Sequence, residues 1–361
     1  MRAYIIRRLL LIALTIFGIL LTNFIIIQFA PGGPIERIAA KYAFGPGASS
    51  LIGKADTGTD NEQQGVYSGS DSLNSANPVF ARDLEERFGF NKPLLHRFAG
   101  MVCNYLRFDF GKSYYRNERV LNIILEKLPL SLSLALWSTA ITYIIAIPLG
   151  IRKATCDGSP FDLWSSVLMN ALCAIPGFIL AVLLIVLFAG GSFFNLFPIR
   201  GLVSPNWYEM DTFAKATDYL WHLALPVICM VVSSLSVLTM LTKNSFVDEL
   251  HKLYVLAARS KGLTGRAILF RHVFRNAMLI VISGFPAAFL AALFTGSMLI
   301  EMIFSLDGIG LLGINAVLDR DYPVVFAMLY IYALLGLVFK LISDIIITVV
   351  DPRITFDAIN V

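Results

Sequence analysis

The sequence predicts an all-α integral membrane protein with six transmembrane helices and a helical insertion after the first. Three observations predict it. Apolar residues make up 57 % of the 361 residues and charged residues only 15 %, with a mean hydropathy of +0.72. A soluble domain is about 45–50 % apolar and about 25 % charged, so this chain has too little charge to cover a water-exposed surface, which excludes a soluble enzyme and a disordered chain. Six stretches are long and apolar enough to cross a bilayer core about 30 Å thick, which needs about 20 residues. Finally, basic residues are distributed unequally between the connecting loops.

The first stretch, 9–30, has 22 uncharged residues behind Arg2, Arg7 and Arg8. A cleaved leader has a shorter apolar region and a small residue upstream of the cut, whereas this one ends Ile27-Gln28-Phe29-Ala30-Pro31 and is expected to stay as an anchor. Stretches 128–151, 163–190 and 276–300 are also free of charge. Stretch 219–242 carries His222 near one end, and 322–350 carries Lys340 and Asp344. Stretches apolar all round for this length are not soluble core helices.

Orientation follows the basic residues of short loops. With six spans both termini share a side, and that side holds thirteen Lys and Arg against three, Arg200, Lys215 and Arg320, in the short loops opposite. Both termini are therefore expected in the cytoplasm and residues 31–127 outside. In that external segment, 45–78 is rich in Gly, Ser, Asp and Asn and reads as a flexible loop, while helical spacing returns over 79–127 with a break near Gly89 and Pro93. The net charge of +4 implies no nucleic-acid partner.

Enzymatic constellations are missing. Gly111-Lys112-Ser113 ends like a phosphate-binding loop, but Leu106 stands where its first glycine is required. His96, His222, His251 and His272 are isolated, and Cys103, Cys156, Cys173 and Cys229 match no metal or redox spacing. No catalytic, cofactor or metal residue is assigned. Intramembrane charges are functional candidates by default. Lys340 and Asp344 share a helix face at i and i+4, yet Lys340 lies 18 residues past Tyr322, about 27 Å down the helix. Both groups reach the inner interface there, and a structural pair is favoured over a proton relay. Pro176, Pro226 and Pro286 are candidate kink positions, with Pro148 near the end of an earlier span.

The strongest local feature is loop 243–275. Helix formers run through Tyr254, Leu256, Ala257, Ala258, Arg259 and Lys261, Gly262 stops the run before Leu263, and a second amphipathic segment leads into the fifth span. Two short helices with a sharp break form a knob. The residues by themselves fit a groove in another protein and a helix pair lying on lipid phosphates equally well.

Here a family resemblance enters. Ala257-Ala258-x-x-x-Gly262 resembles the EAA loop of permease subunits of binding-protein-dependent ABC importers. Ala258-Arg259-Ser260-Lys261-Gly262-Leu263 with His272-x-x-Arg275-Asn276-Ala277 is similar to their peptide/nickel branch. So are Ala30-Pro31-Gly32-Gly33-Pro34, Arg87-Phe88-Gly89, Asp109-Phe110-Gly111, Ile147-Pro148-Leu149-Gly150, Glu301-x-x-Phe304-Ser305, Gly308-x-Gly310, Arg320-Asp321-Tyr322-Pro323 and Asp351-Pro352-Arg353. The likeness covers essentially the whole chain. One departure is Leu256, which stands where the generic pattern has Glu.

The resemblance implies a type I ABC importer permease fold in the bacterial inner membrane. Its expected parts are a tip and first helix (1–30), a periplasmic segment (31–127), a five-helix core (128–350) and a cytoplasmic tail (351–361). It implies a second, different permease subunit, two ATPase subunits or domains and a periplasmic solute-binding protein as partners, besides membrane lipid. ATP is then used by the partners, with no cofactor bound to this chain. Tyr254, Leu256, Ala257, Ala258, Arg259, Lys261, Gly262 and Leu263 become the ATPase-coupling loop. Oligopeptides or peptide-like compounds, microcin C among them, become the substrate class. Two other classes stay open: an ion-coupled secondary transporter, which needs midplane carboxylates, and a membrane enzyme, which needs a nucleophile or metal constellation.

Overall fold

The computed structural model describes residues 2–29, 93–116, 118–190 and 193–350. The expected flexible loop 45–78, residues 79–92 and the tail 351–361 lie outside the described residues. All the regular elements described are helical. They are α1 (Arg2–Phe29), α2 (Leu94–Leu106), α3 (Val120–Thr155), α4 (Pro160–Cys173), α5 (Gly177–Phe188), α6 (Thr212–Leu250), α7 (Leu253–Ser260), α8 (Gly265–Ile268), α9 (Phe274–Leu290), α10 (Met298–Ile303), α11 (Ile309–Leu318) and α12 (Tyr322–Val350).

Four described helical runs are long and apolar enough to cross a membrane: Val120–Thr155, Thr212–Leu250, Gly265–Ile303 and Tyr322–Val349. They contain the stretches expected from 128, 219, 276 and 322 onward. The first stretch falls on α1, whose apolar section is Leu10–Ile26. The stretch 163–190 is not one straight helix. It is the pair α4 and α5, bent by 88°. Pro176 caps α5 and cannot donate an N–H to α4, and its carbonyl instead accepts from Ile179 (2.9 Å) and Leu180 (3.1 Å). By contrast α6 runs through Pro226 and α9 through Pro286 without ending. The run Gly265–Ile303 carries two π-helical turns, Leu269–Val273 and Ala291–Gly296.

By packing, the chain divides into two units. The larger contains nearly all of α3, α4 to α11, the beginning of α1 and the later part of α12. One apolar cluster joins α3, α5, α6 and α10 through Leu134, Ala181, Leu223, Cys229 and Ile300. A second, around Ala154, Phe246, Val255, Ile268, Val273 and Ala277, ties the 243–275 loop to the ends of α3, α6 and α9.

The smaller unit holds most of α1, α2 with the loop after it, and residues 321–330. Phe98 of α2 meets Phe17 and Phe24 of α1 edge-on, with ring centroids 5.6 and 5.3 Å apart. The expected helical part 79–127 is interrupted after α2. Phe108 (φ +58°) and Gly111 (φ +79°) turn the chain out of the helical region. Residues 107–116 then form a loop, pinned by Ser113 Oγ donating to Asp321 Oδ2 (2.5 Å) and Tyr114 N donating to Asp321 Oδ1 (3.2 Å). Burial, with the Asp321 charge beside it, pushes the Tyr114 phenol far up from its ordinary value.

Candidate functional site

The 243–275 loop is built from the end of α6 outward. Glu249, in the last turn of α6, is met by Lys252 and accepts from Tyr254 Oη at 2.7 Å. Burial and the Glu249 carboxylate together push the Tyr254 phenol up to about 12, so it is a constant donor at neutral pH. Lys252 is extended (ψ 149°) and starts α7, an eight-residue helix.

The helix α7 has two faces. Val255 and Ala258 are buried against Phe246, Ile268 and Val273. Leu253, 83 % exposed, and Leu256, 62 % exposed, point away with Ala257, Arg259 and Lys261. Of the two alanines, only Ala257 is presented outward; the small side chain of Ala258 serves packing within the chain.

The exit from α7 is a glycine-dependent stop. Lys261 N, Gly262 N and Leu263 N donate back to the carbonyls of Ala257 (3.2 Å), Arg259 (2.9 Å) and Ala258 (3.3 Å). Gly262 takes φ +79°, which a Cβ penalises. Thr264 then caps α8, its Oγ1 accepting from Ala267 N.

The sequence reading missed an ionic cluster beside this loop. Lys153, at the end of α3, is fully buried. Its Nζ lies 3.1 Å from Asp162 Oδ1 and donates to the Asp162 carbonyl (2.9 Å), Ser165 Oγ (2.7 Å) and Ser166 Oγ (2.7 Å) on α4. Lys243 of α6 reaches the other Asp162 oxygen at 2.6 Å and Asp157 at 2.8 Å. Two ammonium groups and a buried carboxylate thus bind the ends of α3, α4 and α6 together. Each charge stands at the flank of an apolar stretch, but the pairing of Lys243 with Asp162 spans 81 residues and carries no local signal.

The expected pair of Lys340 and Asp344 is present at 3.7 Å, but Asp344 has a nearer partner in Arg8 of α1, at 2.8 Å. Asp344 is buried, and Lys340 is half exposed. Glu301, which the sequence offers only as part of a motif, has a fully buried carboxyl that accepts from Ser131 Oγ (2.7 Å) and Leu311 N (2.8 Å). Among the described residues no group of three His, Cys, Asp or Glu side chains is placed to hold a metal.

The arrangement joins spanning helices, one of them broken, to an outward knob fixed to their ends. A family model described as "Binding-protein-dependent transport system inner membrane component" matches residues 146–356. The chain belongs to this family. The permease is 52 % identical to the "Peptidoglycan transport system permease protein YejB" of Agrobacterium fabrum, over 99 % of each chain. It is 51 % identical to the "Inner membrane ABC transporter permease protein YejB" of Escherichia coli O157:H7, over 99 % of this chain and all of that one. It is 31 % identical to the "Oligopeptide transport system permease protein AppB" of Bacillus subtilis, again over 99 % of this chain and all of that one. The permease is thus a multi-pass inner-membrane protein with the all-α importer-permease fold expected from its sequence.

Proposed function

We propose that the permease is one of two different membrane subunits of an ATP-driven importer of oligopeptides or peptide-like compounds, taking its substrate from a periplasmic binding protein. The observation that carries this reading is the knob at Leu253–Ser260. Its inward face is locked to the spanning helices, and its outward face offers Leu253, Leu256 and Ala257 to a partner. Apolar side chains this exposed, ringed by Arg259 and Lys261, suit a groove on an ATPase subunit. Tyr254 on Glu249, Gly262 at the exit and Leu263 beyond it hold the knob rigidly enough to pass a push into α6 and α9. ATP is bound and spent by the partner, and the permease forms half of the pathway. With this loop and both termini in the cytoplasm, as the basic residues argue, the ATPase meets it there. The relatives named for oligopeptide and peptidoglycan transport support a peptide-like substrate. The ion-coupled alternative is less well supported, since Asp344 is already engaged by Arg8 and Lys340.

The test is reconstitution. The permease is purified with a second permease, an ATPase and a periplasmic binding protein from the same organism and placed in liposomes. Uptake of a radiolabelled tripeptide, a muropeptide and microcin C is then measured with and without ATP. ATP-dependent uptake of at least one is expected. Uptake that follows an ion gradient without ATP, or accumulation by the permease alone, would overturn the proposal.

A further inference from the structure

The ionic cluster that binds α3, α4 and α6 is balanced within itself. Lys153 and Lys243 face Asp157 and Asp162, two cations against two carboxylates. Arg152, the residue before Lys153, is left over. It is exposed, and no carboxylate among the described residues pairs with it. Its guanidinium lies over the Phe161 ring of α4, 4.6 Å from the centroid. A guanidinium keeps its charge at neutral pH and carries its donors in the plane of the group. Stacked on a ring, it still offers them to an anion.

Depth identifies that anion. Helix α4 runs antiparallel to α6: Asp162 meets Lys243 (2.6 Å), Asn170 Oδ1 accepts from Ser236 Oγ (3.4 Å), and Cys173 Sγ donates to the Ser233 carbonyl (3.9 Å). Lys243 follows the apolar stretch 219–242, so Arg152 and Phe161 stand at the membrane boundary and α4 descends from there into the acyl region. Its outward face stays apolar on the way down. Trp164 is 71 % exposed and Leu168 is 61 % exposed, on one stripe with Phe161, and the exposed Leu163 and Val167 lie beside them. At 1.5 Å per residue, Trp164 lies about 4.5 Å beyond Phe161 along the helix and Leu168 about 10 Å beyond it.

A cation at the boundary, an indole one turn deeper and aliphatic side chains below repeat the order of phosphate, ester and acyl chain in a phospholipid. A soluble partner could meet the first of these and not the last. We propose that the corner of α3 and α4 binds an anionic phospholipid of the leaflet in which α3 ends, the cytoplasmic one by the distribution of basic residues. The phosphate accepts from Arg152, the esters lie against Trp164, and an acyl chain runs along Leu163, Val167 and Leu168. The preference for an anionic headgroup comes from the balanced cluster. The ammonium of a zwitterionic headgroup needs a carboxylate, and Asp157 and Asp162 are both taken by lysines. The lipid braces the corner where α3, α4 and α6 are tied together. This site is independent of what the permease carries.

A photoreactive lipid tests it. Inner-membrane vesicles holding the tagged permease with its partners are fused with liposomes that carry phosphatidylglycerol with a diazirine on one acyl chain. Phosphatidylcholine with the same diazirine is the control. After irradiation the permease is isolated and its cross-linked peptides are mapped. The anionic lipid is expected to label segment 163–171 several-fold more than the choline lipid. Arg152→Gln should remove that difference, and Arg152→Lys, which keeps the charge and loses the planar fork, should hold part of it. Excess inorganic phosphate, compared with chloride at equal ionic strength, should leave the labelling unchanged. Equal labelling by the two lipids in the wild type would overturn the site, as would a segment 163–171 that neither lipid reaches because a protein covers it. A difference that survives Arg152→Gln would overturn it too, and displacement by inorganic phosphate would mark a free-anion site instead. If Arg152→Gln fails to assemble, the comparison of the two lipids in the wild type decides.

Discussion

Ser131 and Glu301, 170 residues apart, together cap one helix. Ser131 Oγ donates to Glu301 Oε1 (2.7 Å) and accepts from Ile309 N (2.8 Å), while Glu301 Oε2 accepts from Leu311 N (2.8 Å). The first turn of α11 is thereby satisfied by a side chain of α3 and another of α10. Such N–H groups have no partner within their own helix, and buried they need one from elsewhere. Gly308 is part of the arrangement, since a Cβ there would stand 2.5 Å from the Glu301 carboxyl carbon.

Removing this cap destabilises the protein. Glu301→Ala leaves buried donors unmet, which costs about 1–3 kcal/mol for each group. Gly308→Val meets side chains that have no room to move. Both variants should melt well below wild type in detergent, and Ser131→Ala by a smaller margin. A Glu301→Ala melting temperature equal to wild type would show that the cap contributes nothing.

The exit from α7 predicts a graded series at Gly262. No neighbouring atom lies within 4 Å of a Cβ built there, so the penalty is backbone strain alone, about 1–2 kcal/mol for an ordinary residue at positive φ. Asn tolerates that region best after Gly. ATPase co-purification and peptide uptake should therefore follow Gly262, then Asn, then Ala, with Gly262→Val lowest at matched membrane levels. Full complex yield and transport in Gly262→Val would remove the main support for the docking role.

The ionic cluster predicts an asymmetry between its two lysines. Lys153 is wholly buried and Lys243 is slightly exposed. Deleting one member of a buried pair costs about 3–5 kcal/mol, because a charge is left without compensation. Lys153→Ala and Asp162→Asn should reduce folded yield severely, and Lys243→Ala less so, since water can reach Asp157 and part of the site. Equal yields of Lys153→Ala and wild type, measured by fluorescence-detected size exclusion, would contradict the burial argument.

Two natural cysteines test the orientation. Cys103 of α2 and Cys156, just after α3, are both exposed. In intact cells a membrane-impermeant maleimide should label Cys103 and leave Cys156 untouched until the membrane is opened. Labelling of Cys156 first would invert the topology.

Pro176, Pro226 and Pro286 show how far local sequence reaches. All three remove a backbone donor from an apolar stretch, yet only Pro176 ends its helix. Gly177 follows it and weakens helix propensity further, whereas Pro226 precedes Val-Ile-Cys and Pro286 precedes Ala-Ala-Phe, which carry the helix on. The positions were legible, and the 88° bend required the neighbours as well. In the same way the stop at Gly262 was readable because its cause lies within four residues. Which alanine faces outward was not, because that depends on where Phe246 and Val273 come to rest.

Composition and short-range periodicity are legible along the chain without any folding. This covers the membrane class, the apolar stretches and the helix–break–helix form of the loop. Each follows from transferring about 20 residues out of water or from one residue's backbone preference. Which polar groups meet is settled by packing: Lys153 with Asp162, Arg8 with Asp344, and Ser131 with Glu301. A polar atom withdrawn from water must find a partner, but any suitable group at any separation in the chain can serve, so the choice is made by packing.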